Sequence, residues 1–328
     1  MTDDLKVLQN VKALTSVLGP ALADVPKPLI GRETIQIVLV REVQDYTILR
    51  TEETREINTV WTRKSMTDAT EIERVAFLAT KQKAAESREL ESLLRTWNAV
   101  ANRTADECYL KSKLCLKCPR CALFGATDVA KSGDKGANVK HRIAYATAFS
   151  LLPVDPTLRE THTFNGVDEA TQRTGQTLGE RQSVRPGALF ASIVTLRAAT
   201  EMELVLAVKT IISCTRYGAE TRIGGFVRNH VLGLVAAQEE IISPLELTLE
   251  LAGGTDVPSK ATVAEVLKSY RLKCATPSTA HVLETEQVDS FLAAIQTVEL
   301  DKAKLDAAYN AVADFRKAQA GYLKKAAD

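Results

Sequence analysis

No charge-free apolar stretch in this chain approaches membrane length. The longest, such as Ile143 to Val154, run about a dozen residues, where a spanning helix needs roughly 20. The sequence opens with Asp3 and Asp4 and has no apolar h-region, so the pattern of a secretory signal is missing. These absences predict a soluble, cytoplasmic protein with no membrane partner. Glycine patterns that cradle phosphates, of the P-loop or Rossmann kind, are missing too. The four histidines, His141, His162, His230 and His281, are scattered without a Ser-His-Asp or Cys-His arrangement, so no catalytic residue is nominated. Low-complexity segments and internal repeats are lacking. What remains is ordinary globular usage, 45% hydrophobic and 25% charged over 328 residues, enough for one large domain or two ordinary ones.

Net charge is nearly absent, with 42 Lys+Arg against 41 Asp+Glu, but its distribution is uneven. Residues 1–100 sum to −1, residues 101–230 to +6 and residues 231–328 to −4. Lys111 to Arg142 holds eight basic residues (Lys111, Lys113, Lys117, Arg120, Lys131, Lys135, Lys140 and Arg142) against Asp128 and Asp134. A basic stretch in a neutral chain fits a polyanion-facing surface, and it equally fits a solvated lysine-rich loop.

Cysteine is sparse but concentrated. Four of six fall within fourteen residues, Cys108, Cys115, Cys118 and Cys121, spaced C-x6-C-x2-C-x2-C. Without secretory signals, thiols this close read as metal ligands rather than disulfides. Two-residue gaps let successive sulfurs converge on one ion, and four thiolates complete a tetrahedral, structural zinc site with no open position. The C-x2-C-x2-C run also matches a ferredoxin-type iron–sulfur cluster, and unligated thiols are the third reading. Cys214 and Cys274 read as buried or incidental.

Periodicity predicts a helix over 3–18 (Leu5, Leu8, Val11, Leu14, Leu18) and a strand over 35–40, with 46–49 as its hairpin partner. Residues 69–98 read as one or two helices and 143–152 as a long strand. The polar stretch 160–187 is a projecting hairpin or a loop, and loops of that length are usually functional. Residues 188–196 form a strand, 201–213 an apolar helix and 226–237 another strand. Helices follow at 263–270, 286–295 and 300–325. The order β, α, β, excursion, β, α, β predicts an α+β fold, a modified RRM or ferredoxin-like sheet.

A resemblance emerges from five blocks in order: Cys115-Leu116-Lys117-Cys118-Pro119-Arg120-Cys121-Ala122-Leu123-Phe124-Gly125, then Arg142 to Leu151, Thr163-Phe164-Asn165, Leu196 to Thr200, and Thr215-Arg216-Tyr217-Gly218-Ala219-Glu220-Thr221-Arg222. Across about 30–240 the chain resembles the backbone subunits of type I-D CRISPR effector (Cascade) complexes, the Cas family seven proteins of the RAMP superfamily. The resemblance implies a right-hand shape and several copies polymerised along one crRNA for antiviral defence. Residues 1–68 would supply an N-terminal helix and first palm strands, and 69–141 a zinc-bearing fingers insertion. Residues 142–245 would complete the palm, with a thumb hairpin near 160–187, and 246–328 would form a helical region packed on it. The partners implied are crRNA, target DNA, further copies of the chain, and large, cap and crRNA-processing subunits.

A guide of variable sequence must be held by phosphates and sugars, leaving base edges free. The expected RNA contacts are Arg41, Arg50, Arg63, Lys64 and Arg142, then Arg216, Arg222 and Arg228 around Gly218, Gly224 and Gly225. Tyr217 would stack on a base. In the thumb, Phe164 and Asn165 would wedge beside a nucleotide, with Arg173 and Arg181 on phosphates. Lys131, Lys135 and Lys140 would meet target DNA. Two alternatives stand beside this. In one, an acidic residue (Asp45, Glu52, Glu53, Asp168 or Glu169) and a metal cut the paired strand at intervals. In the other, the chain is a zinc-stabilised scaffold that binds no RNA.

Overall fold

The computed structural model describes residue 8 and residues 11–51, 55–110, 113–127, 138–155 and 158–325. In chain order the elements are α1 (Lys12–Leu18), β1 (Thr34–Val43), β2 (Thr59–Arg63), β3 (Glu71–Phe77), α2 (Ala79–Val100), α3 (Pro119–Phe124), β4 (Ile143–Tyr145), β5 (Ala148–Ser150), β6 (Arg159–Val167), β7 (Thr174–Val184), β8 (Leu189–Arg197), α4 (Glu201–Ser213), β9 (Val227–Ala237), α5 (Pro244–Glu250), α6 (Lys260–Arg271), β10 (His281–Val282), α7 (Thr285–Thr297) and α8 (Lys302–Lys325).

One antiparallel sheet runs in the order β10-β9-β1-β8-β5-β3-β2, with β4 also on β8. Inside it lies β1, rich in β-branched residues and paired with β8 on one side and β9 on the other. Because β8 lies antiparallel between β1 and β5, those two strands are parallel to each other, with α2 in the connection. By the same logic β8 and β9 are parallel, with β1 between them and α4 in the connection. The chain therefore makes two split β-α-β units.

Both faces of this sheet are covered. Ile35, Ile37 and Leu39 pack with Leu90 and Leu94 of α2 and with Leu204 to Ile211 of α4. Val38 and Val40, half a pleat away, join Leu247 of α5 and Val263 and Leu267 of α6. Burying each such side chain stabilises the fold by roughly 1.5–3 kcal/mol, so the C-terminal helices are part of the core.

The structure departs from the sequence expectations at several places. Residues 71–77 are strand, not helix: β3 pairs with β2 and, through Ala76 and Phe77, with β5. The main sheet thus takes in residues expected to belong to the fingers insertion. Buried Arg74 fixes that junction, donating to the carbonyls of Ser150 (2.6 Å), Leu151 (2.8 Å) and Lys64 (2.7 Å). Residues 46–49 are not the hairpin partner of β1; Thr47 bridges Val184 and Ile48 bridges Ala219. The strand expected over 143–152 is broken into β4 and β5. Helix α5, unforeseen, starts at Ser243-Pro244 with a capping box to Glu246. Of the helix expected over 3–18, α1 spans 12–18 and Leu5 lies outside the described residues. No described helix is long and apolar enough to cross a membrane.

Candidate nucleic-acid interface and metal centre

The hairpin β6–β7 forms its own two-stranded sheet off the main one, in the span expected for the thumb. Its root is tied down by backbone: Thr47 and Val184 exchange N–H···O bonds of 3.1 and 2.8 Å. The Ala219 N–H donates to Ile48 O at 3.0 Å. Three segments meet there: 45–50 after β1, the end of β7, and the 215–226 loop.

The loop glycines serve this packing. A Cβ at Gly218, where φ is +85°, would lie 2.6 Å from Ile48 O, and one at Gly224 would lie 2.6 Å from Tyr46 O. The close approach these glycines allow is to the chain's own backbone.

The expected RNA contacts fall into two groups. Arg216, Arg222 and Arg228 are exposed on the loop and at the start of β9. Arg216 also donates to Gly224 O at 3.0 Å and lies over the Phe226 ring. Arg50 and Arg181 are half-buried at the hairpin root, and both reach Glu220. Arg173 is exposed in the hairpin turn. Arg63 and Lys64 are exposed as well, but they sit at the far edge on β2. Five strand spacings separate them from β9, about 24 Å at the usual inter-strand distance, so the fold does not bring them to the loop cluster.

Three expected contacts are interior residues instead. Arg41 is fully buried, on the β1 face that carries Ile37 and Leu39. It pairs with Glu86 of α2 at 2.7 Å and donates to Asn229 Oδ1 (2.9 Å), Tyr217 Oη (3.1 Å) and Ser192 Oγ (3.1 Å). Burial alone would lower the Arg41 guanidinium; Glu86 outweighs it, so the net shift is upward and the cation persists. Tyr217, expected to stack on a base, is buried and donates to Glu86 Oε1 at 2.8 Å. Tyr145 donates to the other oxygen at 2.5 Å. Burial first, and then Glu86, pushes both phenols well above their usual range.

Arg142, also buried, makes a two-pronged pair with Glu203, one contact at 2.6 Å. Glu203 in turn accepts from the Thr200 N–H at 2.9 Å, so one carboxylate caps α4 and holds the arginine. The sequence reasoning missed Glu86 and Glu203 as partners. Strand phase was the available signal for Arg41, which falls in step with apolar Ile35, Ile37 and Leu39.

Phe164 and Asn165 lie in β6, and their side chains are outside the description. Lys131, Lys135, Glu52 and Glu53 lie outside the described residues, while Lys140 is exposed. Asp45 accepts from the Tyr46 N–H at 2.8 Å, Asp168 from the Thr171 N–H at 2.6 Å, and Glu169 is exposed.

The cysteines do converge. The sulfurs of Cys108, Cys115, Cys118 and Cys121 all lie within 4.8 Å of one another, three of the residues buried. Zinc–sulfur bonds of 2.3 Å at tetrahedral angles need sulfurs about 3.8 Å apart, so the donor set fits a zinc ion. Leu116, at φ +58°, makes the tight turn that brings Cys115 and Cys118 together. Cys118 then caps α3, accepting from the Cys121 N–H at 3.4 Å. Cys108 and Cys115 accept from the N–H groups of Cys115 (3.5 Å) and Lys117 (3.4 Å). Hydrogen bonds from neighbouring thiols, that of Cys108 first, pull Cys115 down to about 7 and hold Cys121 far below the ordinary thiol range. Arg120 approaches Cys121 Sγ at 3.9 Å while donating twice to Ser87.

A two-faced antiparallel sheet with a projecting hairpin and a four-cysteine knot defines the class: a mixed α+β protein with a closed site suited to a structural metal. The crystal structure of Thermofilum pendens Csc2 is similar, with a TM-score of 0.66 and 21% identity over 93% of this chain and 94% of that one. A chain of a CRISPR RNA-guided surveillance complex in a pre-nicking state is more distantly similar, with a TM-score of 0.50 and 12% identity over 80% of this chain and 99% of that one. No curated protein matches the sequence. Residues 21–318 match the Csc2 Crispr family, and the chain belongs to that family. The resemblance read from the sequence therefore holds at the level of the family.

Proposed function

We propose that this chain is the repeating backbone subunit of a type I-D CRISPR effector complex. Several copies polymerise along one crRNA, each holding its sugar–phosphate backbone without reading bases. The bases stay free to pair with target DNA. Family membership supports the reading, as does the description of a similar fold as part of an RNA-guided surveillance complex. The observation that carries it is the hairpin root, where a separate β-hairpin stands beside exposed Arg216, Arg222 and Arg228. Exposed cations on a rim suit contact with a sugar–phosphate backbone.

In this reading the two split β-α-β units are a modified RRM-type palm, β6–β7 is the thumb, and α2 to about residue 141 is the fingers. The four cysteines hold structural zinc, which supplies folding energy and no open coordination site. In this reading the subunit binds and does not cut; that Asp45 and Asp168 accept from nearby backbone N–H groups supports a local structural use for those two carboxylates. Large, cap and crRNA-processing subunits complete the particle, and Lys140 faces target DNA.

The test is purification of the chain with a CRISPR transcript, followed by sizing with absorbance at 260 nm. An RNA-bearing ladder of assemblies is expected. An RNA-free monomer under the same conditions would overturn the reading in favour of the scaffold alternative.

A further inference from the structure

We propose that Arg50 and Arg181 form a phosphodiester subsite that the Glu220 carboxylate closes in the free protein. The proposal rests on the nucleic-acid reading above and deepens it. Three segments distant in sequence supply the groups: Arg50 follows β1, Arg181 lies on β7 of the hairpin, and Glu220 lies on the 215–226 loop. Arg50 Nη2 stands 3.8 Å from Glu220 Oε1, and Arg181 Nη1 contacts Oε2. One carboxylate thus bridges two guanidinium groups, each on its own oxygen. Arginine's fork matches carboxylate and phosphate oxygens alike, so the position Glu220 occupies is one a phosphate can take.

Two further features favour a subsite over a brace. Glu220 has φ +54°, a left-handed conformation unfavourable for a residue that carries a side chain. The hairpin root does not depend on this ion pair, because the Thr47–Val184 and Ile48–Ala219 backbone bonds already join the same three segments. The groups are also reachable: the side chains of Arg50, Arg181 and Glu220 are 25%, 29% and 34% exposed. A small cavity of about 80 Å³ adjoins Arg181 and Glu220, lined also by Asp45, Tyr46, His162 and Ser183 among others. Tyr46 meets His162 edge-on there at 4.6 Å. A phosphodiester carries the same single negative charge as the Glu220 carboxylate, so the exchange leaves both arginines facing an anion.

The consequence is a threshold. A single phosphate must displace an intramolecular competitor, whereas a strand held at many points by neighbouring rim arginines raises the local phosphate concentration enough to do so. The test measures anisotropy of a labelled single-stranded RNA, and of DNA of the same sequence, with the full chain and its Glu220→Gln variant at fixed salt. Two exposed ion pairs of ordinary strength predict about three- to tenfold tighter binding by the variant. The gain should vanish when Arg50→Gln and Arg181→Gln are added, and Glu180→Gln on the same hairpin should not reproduce it. A gain confined to RNA assigns the subsite to the guide; one confined to DNA assigns it to the target strand. Unchanged or weaker binding by Glu220→Gln, or a gain that survives loss of both arginines, overturns the subsite while leaving the nucleic-acid reading in place. Absence of binding by the wild type and every variant overturns both.

Discussion

Helix α2 borders two interior polar centres of opposite kind. On one side Glu86 meets Arg41, and the surrounding Tyr145, Tyr217, Asn229, Ser192 and Gln82 form a hydrogen-bond network from the chain's own groups. On the other side, beyond Ser87 and Glu91, four thiols crowd within 4.8 Å. One guanidinium, Arg120, approaches them, and the Glu91 carboxylate stands 3.8 Å from Cys118 Sγ. The first centre has a cation and an anion in contact. The second brings four sulfurs together beside one guanidinium and one carboxylate. Burial of charge is tolerated where it is paired; the first centre supplies its own anion in Glu86, whereas four thiolates at the second would need a dication to answer them.

Removing the dication should give the largest effect. Cys118→Ser, or a strong chelator on the wild type, withdraws on the order of 10 kcal/mol of apparent metal-binding free energy from the knot. The loss should spread to α8, whose Phe315 packs against Cys108, Cys118 and Cys121. Bound zinc per chain, melting temperature and early proteolysis within 302–325 are the readouts, and an unchanged melt with no metal bound would erase the contrast between the centres. Next in size is Glu86→Gln. It leaves Arg41 buried without its anion and should cost about 3–5 kcal/mol in denaturant unfolding, with zinc content unaffected. A smaller cost would mean that the Tyr217–Asn229 network, not the ion pair, carries the centre.

Spacing made the second centre legible in the sequence and hid the first. Cysteines at C-x2-C-x2-C gaps advertise convergence, whereas Arg41 and Glu86 are 45 positions apart and look like any two surface charges. Arginine's residue type suggests a phosphate ligand, but the strand phase of Arg41 decides against it. In step with Ile35, Ile37 and Leu39, it had to face the helices. Strands β1, β8 and β9 and helix α4 were legible because their apolar patterns are long and clean. Glu71-Ile72-Glu73-Arg74-Val75-Ala76-Phe77 was not, since its helix formers are overruled by pairing with β2 and β5. Helix α5 announced itself only through Ser243, Pro244 and Glu246, a cap signal on seven residues.

The hairpin root extends the contrast to the surface, with smaller effects. Gly218→Ala places a Cβ 2.6 Å from Ile48 O at φ +85°, strain worth about 1–3 kcal/mol. It should loosen the loop against 46–48, and faster amide exchange at Ala219 would register it while the melt falls modestly. Wild-type exchange at that amide would mean the loop has another way to pack.

Arg222 and Arg228 mark the opposite limit from Arg41. They are exposed, so changing both to glutamine should move stability by no more than about 0.5 kcal/mol. Their role, if they lie on phosphates, appears only in binding. Each contact to a single strand contributes about −0.7 to the slope of log K against log salt, so the double variant should flatten that slope by about 1.4 with little dependence on base sequence. The pair of measurements separates the two uses of arginine in this chain. A side chain whose loss changes the melt but not the slope belongs with Arg41. One whose loss changes the slope but not the melt belongs to the rim, and a double variant that changes neither would place the strand elsewhere on the molecule.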